Sequence, residues 1–119
     1  MVCKASNRFG RTLRQLREGQ GIGLRRLAAE IGISATYLSQ IELGVLPPPR
    51  AEKIEALARV LGREPDALVV LAGRIPSDVI KGVQRHPVEI ASLVRATRGM
   101  SARNIAALAA QVRGASRTG

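Results

Sequence analysis

The chain has no tryptophan, one phenylalanine (Phe9) and one tyrosine (Tyr37) among its 119 residues. Single-strand nucleic-acid binders stack successive bases on several rings, so this scarcity argues against an ssDNA- or ssRNA-binding module. It argues equally against a basic helix lying on a membrane, which needs bulky apolar anchors beside its charges. The lone cysteine, Cys3, allows no internal disulfide, and nothing indicates an oxidising compartment. The lone histidine, His86, precedes Pro87 and has no cysteine or second histidine to complete a metal site, so a helix cap is the role it suggests. No run approaches the ~20 apolar residues of a membrane span. The N-terminus, with Lys4, Arg8 and Arg11 among polar residues, lacks a signal-peptide core. A cytoplasmic protein with no membrane association is expected.

Acidic residues are also few, 9 against 19 Lys and Arg, and they are scattered singly. There is no Gly-x-Ser-x-Gly, His-Glu-x-x-His or P-loop pattern. The Gly-x-Gly at Gly21 to Gly23 lacks the preceding strand of a nucleotide fingerprint. No enzyme, catalytic residue, cofactor or metal site is therefore expected. The net charge of +10 favours a polyanionic partner, because neutralising phosphates releases condensed counterions. That charge is uneven: +5 over residues 1–33, 0 over residues 34–74 and +5 over residues 75–119. The length suits one or two small domains, not a large enzyme fold.

What the chain does have is helical periodicity, clearest between Leu24 and Gly44. Leu24, Leu27, Ala28 and Ile31 fall at i, i+3, i+4 and i+7 and make one apolar face. Gly32 follows, where a left-handed cap suits glycine. Ser34 then offers a side-chain oxygen to the free N–H groups of a second helix, with Leu38 and Ile41 inward and Tyr37 at the margin. Steps of about 100° per residue set Ala35, Thr36, Ser39, Gln40 and Leu43 on the opposite face. That face is small and uncharged. A solvent-facing helix in so basic a protein would ordinarily carry Lys, Arg or Glu there, whereas short hydroxyls, a methyl and an amide fit a major groove and its base edges.

Elsewhere, Phe9, Leu13 and Leu16 mark a first helix after a flexible arm over residues 1–7. Arg8, Arg11, Arg14 and Arg17 are expected on its solvated side. Val45-Leu46-Pro47-Pro48-Pro49-Arg50 is an extended spacer. Ile54, Leu57, Ala58 and Leu61 define a fourth helix opening at Arg50 and stopped by Gly62. Glu64-Pro65-Asp66 opens a fifth over Ala67 to Ala72 that is apolar all round, so the C-terminal segment or a second copy of the chain is expected to cover it. From Ile75, three further helices are suggested by Val79, Ile80 and Val83; by Val88, Ala91, Leu93 and Val94; and, after a Ser101 cap, by Ile105, Ala106, Leu108, Ala109 and Val112. A disordered tail over 114–119 is expected.

The stretch from Phe9 to about Gly73 resembles the lambda-repressor/Cro-like (Cro/C1-type, or XRE) helix-turn-helix family. The matching residues are Leu13-Arg14-Gln15-Leu16-Arg17, Leu27-Ala28, Gly32-Ile33-Ser34, Tyr37 to Glu42, Gly44 and the prolines Pro47 to Pro49. The resemblance implies a five-helix lambda-repressor-like DNA-binding domain over residues 8–74; with the C-terminal segment of about three helices that periodicity suggests over 75–113, which resembles no such module, an all-α protein is expected. The resemblance implies a regulator of transcription that binds double-stranded DNA. Ala35, Thr36, Ser39 and Gln40 would read bases, and Arg25, Arg26, Ser34, Tyr37 and Arg50 would meet the backbone. Gln40 would pair with adenine N6 and N7, and the Ala35 and Thr36 methyls would pack on a thymine methyl; Tyr37 serves equally as packing. The sequence departs from the family pattern at two places. Gly23-Leu24 stands where the family usually has Ser-Gln, and Leu43, Val45 and Leu46 stand where polar or basic residues are common.

The C-terminal third has three uses open to it: completing the fold, making a homodimer, or binding another protein. A homodimeric repressor on a partly palindromic operator would read it through residues 34–43 of each copy. The alternative is an antitoxin-like protein whose residues 75–113 hold a partner while the head autoregulates.

Overall fold

Helix-forming residues separated by Gly, Ser and Pro dictate short helices, and the computed structural model contains eight among its described residues. It describes residues 4–118, with side chains for residues 7–115. The order is α1 (Lys4–Gly19), α2 (Leu24–Ile31), α3 (Ala35–Glu42), α4 (Ala51–Leu61), α5 (Pro65–Leu71), α6 (Ser77–Arg85), α7 (Pro87–Ala96) and α8 (Ala102–Thr118). No strand occurs among the described residues. Two compact units divide the chain, residues 1–80 and 81–119.

In the first unit, the apolar positions that recur at three and four residues converge. Phe9 and Leu13 of α1, Leu27 of α2, Leu38 and Ile41 of α3, Ile54, Leu57 and Leu61 of α4, and Val69 of α5 are all fully buried. Each such side chain contributes about 1.5–3 kcal/mol relative to exposure, so this core alone can hold five short helices together. α1 packs on α3 and α5, α2 on α3 and α4, and α4 on α5. Side chains close the helix ends: Lys53 Nζ donates to the Ile31 carbonyl at 3.0 Å, Gln20 Nε2 to the Leu61 carbonyl, and Arg74 Nη2 to the Pro48 carbonyl. These bonds satisfy terminal carbonyls that a helix or a proline run leaves without partners.

The fifth helix differs from expectation. Leu68 and Val69 are buried in the core while Val70 is 61% exposed, so one face of α5 is enough and no cover over the whole helix is required. The first unit also runs past the boundary expected at residue 74, because Pro76 is buried and Ser77 Oγ donates to Glu55 Oε1 at 3.3 Å.

The second unit is built otherwise. α7 ends on Thr97, whose Oγ1 donates to the Val94 carbonyl at 2.6 Å, and α8 begins with Ser101 Oγ accepting from the Asn104 N–H at 3.1 Å. The expected Ser101 cap is therefore present. His86 occupies the N-cap position of α7 but its side chain makes no capping bond. No residue from 81 to 115 is buried. An apolar cavity of about 520 Å³ is lined by Leu93, Val94, Thr97, Ile105, Leu108 and Val112.

Two segment ends are corrected. α1 starts at Lys4, inside the stretch expected to be an arm, and residues 1–3 of that arm lie outside the described residues. α8 continues to Thr118 through most of the stretch expected to be a disordered tail, of which residue 119 lies outside the described residues. Each end holds one Ala and one Lys or Arg, which are strong helix formers, and the ~1 kcal/mol cost of one glycine at Gly114 does not end a helix by itself.

Candidate nucleic-acid interface

The exposed face of α3 is set by the turn before it. Gly32 closes α2 in the left-handed region (φ 76°, ψ 36°), with its N–H turned back to the Ala28 and Ala29 carbonyls. A side chain there would be strained. Two residues later Ser34 is extended (φ −76°, ψ 151°), and its Oγ accepts the Tyr37 N–H at 3.0 Å. That bond satisfies one of the free donors that open α3 and fixes the angle at which the helix leaves the turn.

From there the 3.6-residue period separates two faces. Leu38 and Ile41 are 0% and 1% exposed and anchor α3 in the core. Thr36 is exposed, and Ala35, Ser39 and Gln40 are partly exposed. All four expected base-reading residues therefore share one outward surface. The far end is held as firmly, since the Gln40 backbone carbonyl accepts the N–H groups of Val45 at 2.9 Å and Leu46 at 3.2 Å. Tyr37 is half-buried and packs against the core.

A second restraint comes from α1. Arg17 Nε donates to Glu42 Oε2 at 2.7 Å, Nη2 donates to Glu42 Oε1 at 2.9 Å, and Nη1 donates to the Ile22 carbonyl at 3.0 Å. The two side chains are only 12% and 5% exposed, so this is a bidentate, largely desolvated pair joining α1 to the last residue of α3. The hydrogen bond to Glu42 raises the Arg17 pKa above its already strongly alkaline value; burial opposes the shift, and the charges of Glu42 and Glu18 add to it. A raised value of this kind keeps its stabilisation at every pH below the unfolded value and loses it only in strong alkali. Arg17 thus stays charged at all working pH.

This corrects the expectation that Arg17 is one of four solvated arginines on α1. The signal was present in the spacing. Arg17 lies four residues after Leu13 and eight after Phe9, and Glu42 lies four after Leu38, so both charges sit on the core stripes of their helices. α1 also comes close at Gly10, where an added Cβ would meet the backbone carbonyls of Ile41 and Glu42, the latter at 2.6 Å. Only a hydrogen fits at that crossing.

The expected backbone-contacting arginines lie in the first turn of α2 and at the N-cap of α4. Arg25 and Arg26 are exposed in the first turn of α2, whose N-cap is Gly23 and has no side-chain capping bond. The departure from Ser-Gln thus leaves the positive end of α2 uncapped by a side chain. Arg26 makes an exposed i,i+4 pair with Glu30 at 3.4 Å, an interaction of small net worth in solvent. Arg50 is exposed at the N-cap of α4 and lines a cavity of about 380 Å³ with Glu52, Arg74, Ser77 and Ile80.

No group of three His, Cys, Asp or Glu suited to a metal occurs among the described residues, and no helix there is long and apolar enough to cross a membrane.

Two short helices meeting at a glycine turn, the second anchored by Leu38 and Ile41 and held at its far end by a buried ion pair, define a helix-turn-helix head. The chain belongs to the helix-turn-helix domain family, whose model matches residues 8–71. The lambda-repressor/Cro-like resemblance is thereby borne out. So is the expectation of a non-enzymatic protein, since this is a family of helix-turn-helix domains rather than of catalysts.

Among relatives, the chain is 37% identical over 67 residues to RghRB of Bacillus subtilis, described as an uncharacterized HTH-type transcriptional regulator; the match covers 56% of this chain and 48% of that protein. It is 38% identical over 64 residues to Rv0474 of Mycobacterium tuberculosis, described in the same terms, covering 54% of this chain and 45% of that protein. The chain thus spans about half the length of the curated relatives it matches. Among solved structures it is similar to the clp gene regulator ClgR from Corynebacterium glutamicum, at 27% identity and a TM-score of 0.51, over 60% of this chain and 91% of that one.

Proposed function

We propose that the protein is a regulator of transcription in the cytoplasm that binds double-stranded DNA sequence-specifically, as a homodimeric repressor reading a partly palindromic operator through residues 34–43 of each copy. The observation that carries this reading is the outward face of α3. It is uncharged, made of Ala35, Thr36, Ser39 and Gln40, and held by the core through Leu38 and Ile41. Gln40 pairs bidentately with adenine N6 and N7, and Ala35 with the Thr36 methyl covers a thymine methyl. Ser39 reaches a base edge or the neighbouring phosphate. Arg25, Arg26 and Arg50, with Ser34 and Tyr37, hold the phosphates and set the register without reading sequence.

The dimer has its own physical support. One reading helix of eight residues makes few base contacts, and two half-sites one DNA turn apart, about 34 Å, roughly double the discrimination free energy. The exposed apolar side chains of residues 81–115, with none buried, favour a partner over that face. A second copy is our first choice. A foreign protein held by residues 75–113, in the manner of an antitoxin, fits the same apolar face; its mark is an equimolar foreign chain that co-purifies from the native source.

Selection from random double-stranded DNA at physiological salt tests the main reading. Enriched duplexes carrying an inverted repeat with half-sites about one turn apart are expected. Enrichment of nothing would reduce the +10 charge to nonspecific affinity and shift the function to partner binding.

A further inference from the structure

Leu43 follows the last residue of α3 and is 61% exposed, a large apolar side chain in a unit whose other helices turn most of theirs inward. Its backbone is still helical (φ −79°, ψ −8°), and its N–H donates to the Ser39 carbonyl at 3.0 Å. The helical step of about 100° per residue therefore extends to it. Seven residues from Thr36 amount to nearly two full turns, so Leu43 projects within roughly 20° of Thr36. In angle it lies between Ser39 and Gln40. Along the axis it stands about 10 Å beyond Thr36, which lengthens the reading face by one turn.

Leu43 cannot swing away from this position. The turn after it is closed by the Val45 and Leu46 N–H groups on the Gln40 carbonyl, and Gly44 is buried against Asn7. Glu42, its neighbour, is clamped by Arg17. An aliphatic group held on a base-reading face has no hydrogen bond to offer. In the major groove its one apolar counterpart is the C5 methyl of thymine.

We propose that Leu43 is a further specificity-determining residue, which packs on a thymine methyl at the edge of each half-site and selects thymine there against the other bases. This rests on the DNA-reading role proposed above. It adds a contact of a different chemistry to those of Thr36 and Gln40, and it makes part of the operator's sequence preference depend on methyl groups instead of hydrogen bonds.

The test uses the full chain and the operator recovered by selection, with uracil replacing thymine one position at a time. Uracil keeps every hydrogen-bonding group and removes only the methyl. Wild type is expected to lose affinity roughly fourfold at the contacted position, the worth of one buried methyl-sized group. Leu43→Ala should bind the thymine operator more weakly by at least that factor and should not distinguish thymine from uracil at that position. Gln40→Ala, which tests the reading helix itself, should retain the thymine preference. The proposal is overturned if wild type binds every uracil operator as tightly as the thymine one, or if Leu43→Ala keeps the wild-type response to uracil. Because the uracil series uses the native protein, a flat response overturns the proposal even if Leu43→Ala folds poorly, and a second sensitive thymine, besides the one that Ala35 and Thr36 cover, supports it. A loss with Gln40→Ala and none with uracil removes Leu43 and the methyl contacts of Ala35 and Thr36 and leaves Gln40 in the reading set; no loss with either removes the reading role of α3 as a whole.

Discussion

Residues 1–80 and 81–119 are both mainly helical where described, yet their side chains are organised in opposite ways. In the first unit nine large apolar side chains are fully buried, and a charged pair is taken into the interior with them. In the second, capping bonds at Thr97 and Ser101 define the helices, but nothing from 81 to 115 is buried, and Val88, Leu93, Val94, Ile105 and Val112 are all at least 40% exposed. Short helices are marginal in water unless an apolar face is covered. The head supplies that cover from its own five helices. The C-terminal hairpin does not supply it from its own helices, which is what supports the proposed dimer or protein partner.

The sharpest way to break this contrast is to remove the ion pair of the head. Glu42→Ala leaves the Arg17 guanidinium largely buried and unpaired, and a loss of about 3–5 kcal/mol is expected in urea unfolding. Replacing both partners with apolar residues, Arg17→Met with Glu42→Leu, should recover most of it, because a desolvated pair is often matched by hydrophobic packing. If the single change costs less than about 1 kcal/mol, the pair is more hydrated in solution than its exposure of 12% and 5% implies.

For the second unit the corresponding change is Leu93→Asp, a charge placed on the 51% exposed apolar face. The proposed dimer should dissociate in sedimentation, and the discrimination free energy for the proposed two-half-site operator should fall toward that of a single half-site, roughly half. A dimer that survives the change would move the interface away from α7 and α8.

Smaller effects sharpen the division of labour within the head. Gln40→Ala should lose ~1–3 kcal/mol on the specific site and little on random duplex, measured by competition binding; equal losses on both would place Gln40 outside the base-reading set. Ser34→Ala removes the oxygen that accepts the Tyr37 N–H, and a cost of about 0.5–2 kcal/mol in thermal unfolding is expected. Arg25→Ala should weaken specific and random DNA alike and reduce the salt slope of log K by about one unit. An unchanged slope would show that Arg25 does not touch a phosphate.

Much of the head was legible in the chain. The i, i+3, i+4, i+7 spacing gave Leu27, Ala28 and Ile31 to the core, Gly32 and Ser34 marked the turn, and the outward set of α3 followed from the helical step. Periodicity is a local property, set by the backbone's own geometry, and survives into the fold. The Arg17–Glu42 pair was less legible, since the residues are 25 positions apart and a charge on an apolar stripe is usually solvated. α5 was misjudged for a related reason. A short apolar run does not state which of its residues will find neighbours, and Leu68 and Val69 did while Val70 did not.

The sequence by itself therefore determined the helices of the described residues, the caps at Gly32, Ser34 and Ser101 and the family of the head, because these depend on interactions within a few residues. Only the tertiary structure decided that Arg17 is a clamp and not a surface charge, that Gly10 must stay bare against the carbonyls of Ile41 and Glu42, and that the Leu43 backbone stays helical past the end of α3. Each of these depends on how close two distant segments come or on where a helix ends, and local propensity fixes neither.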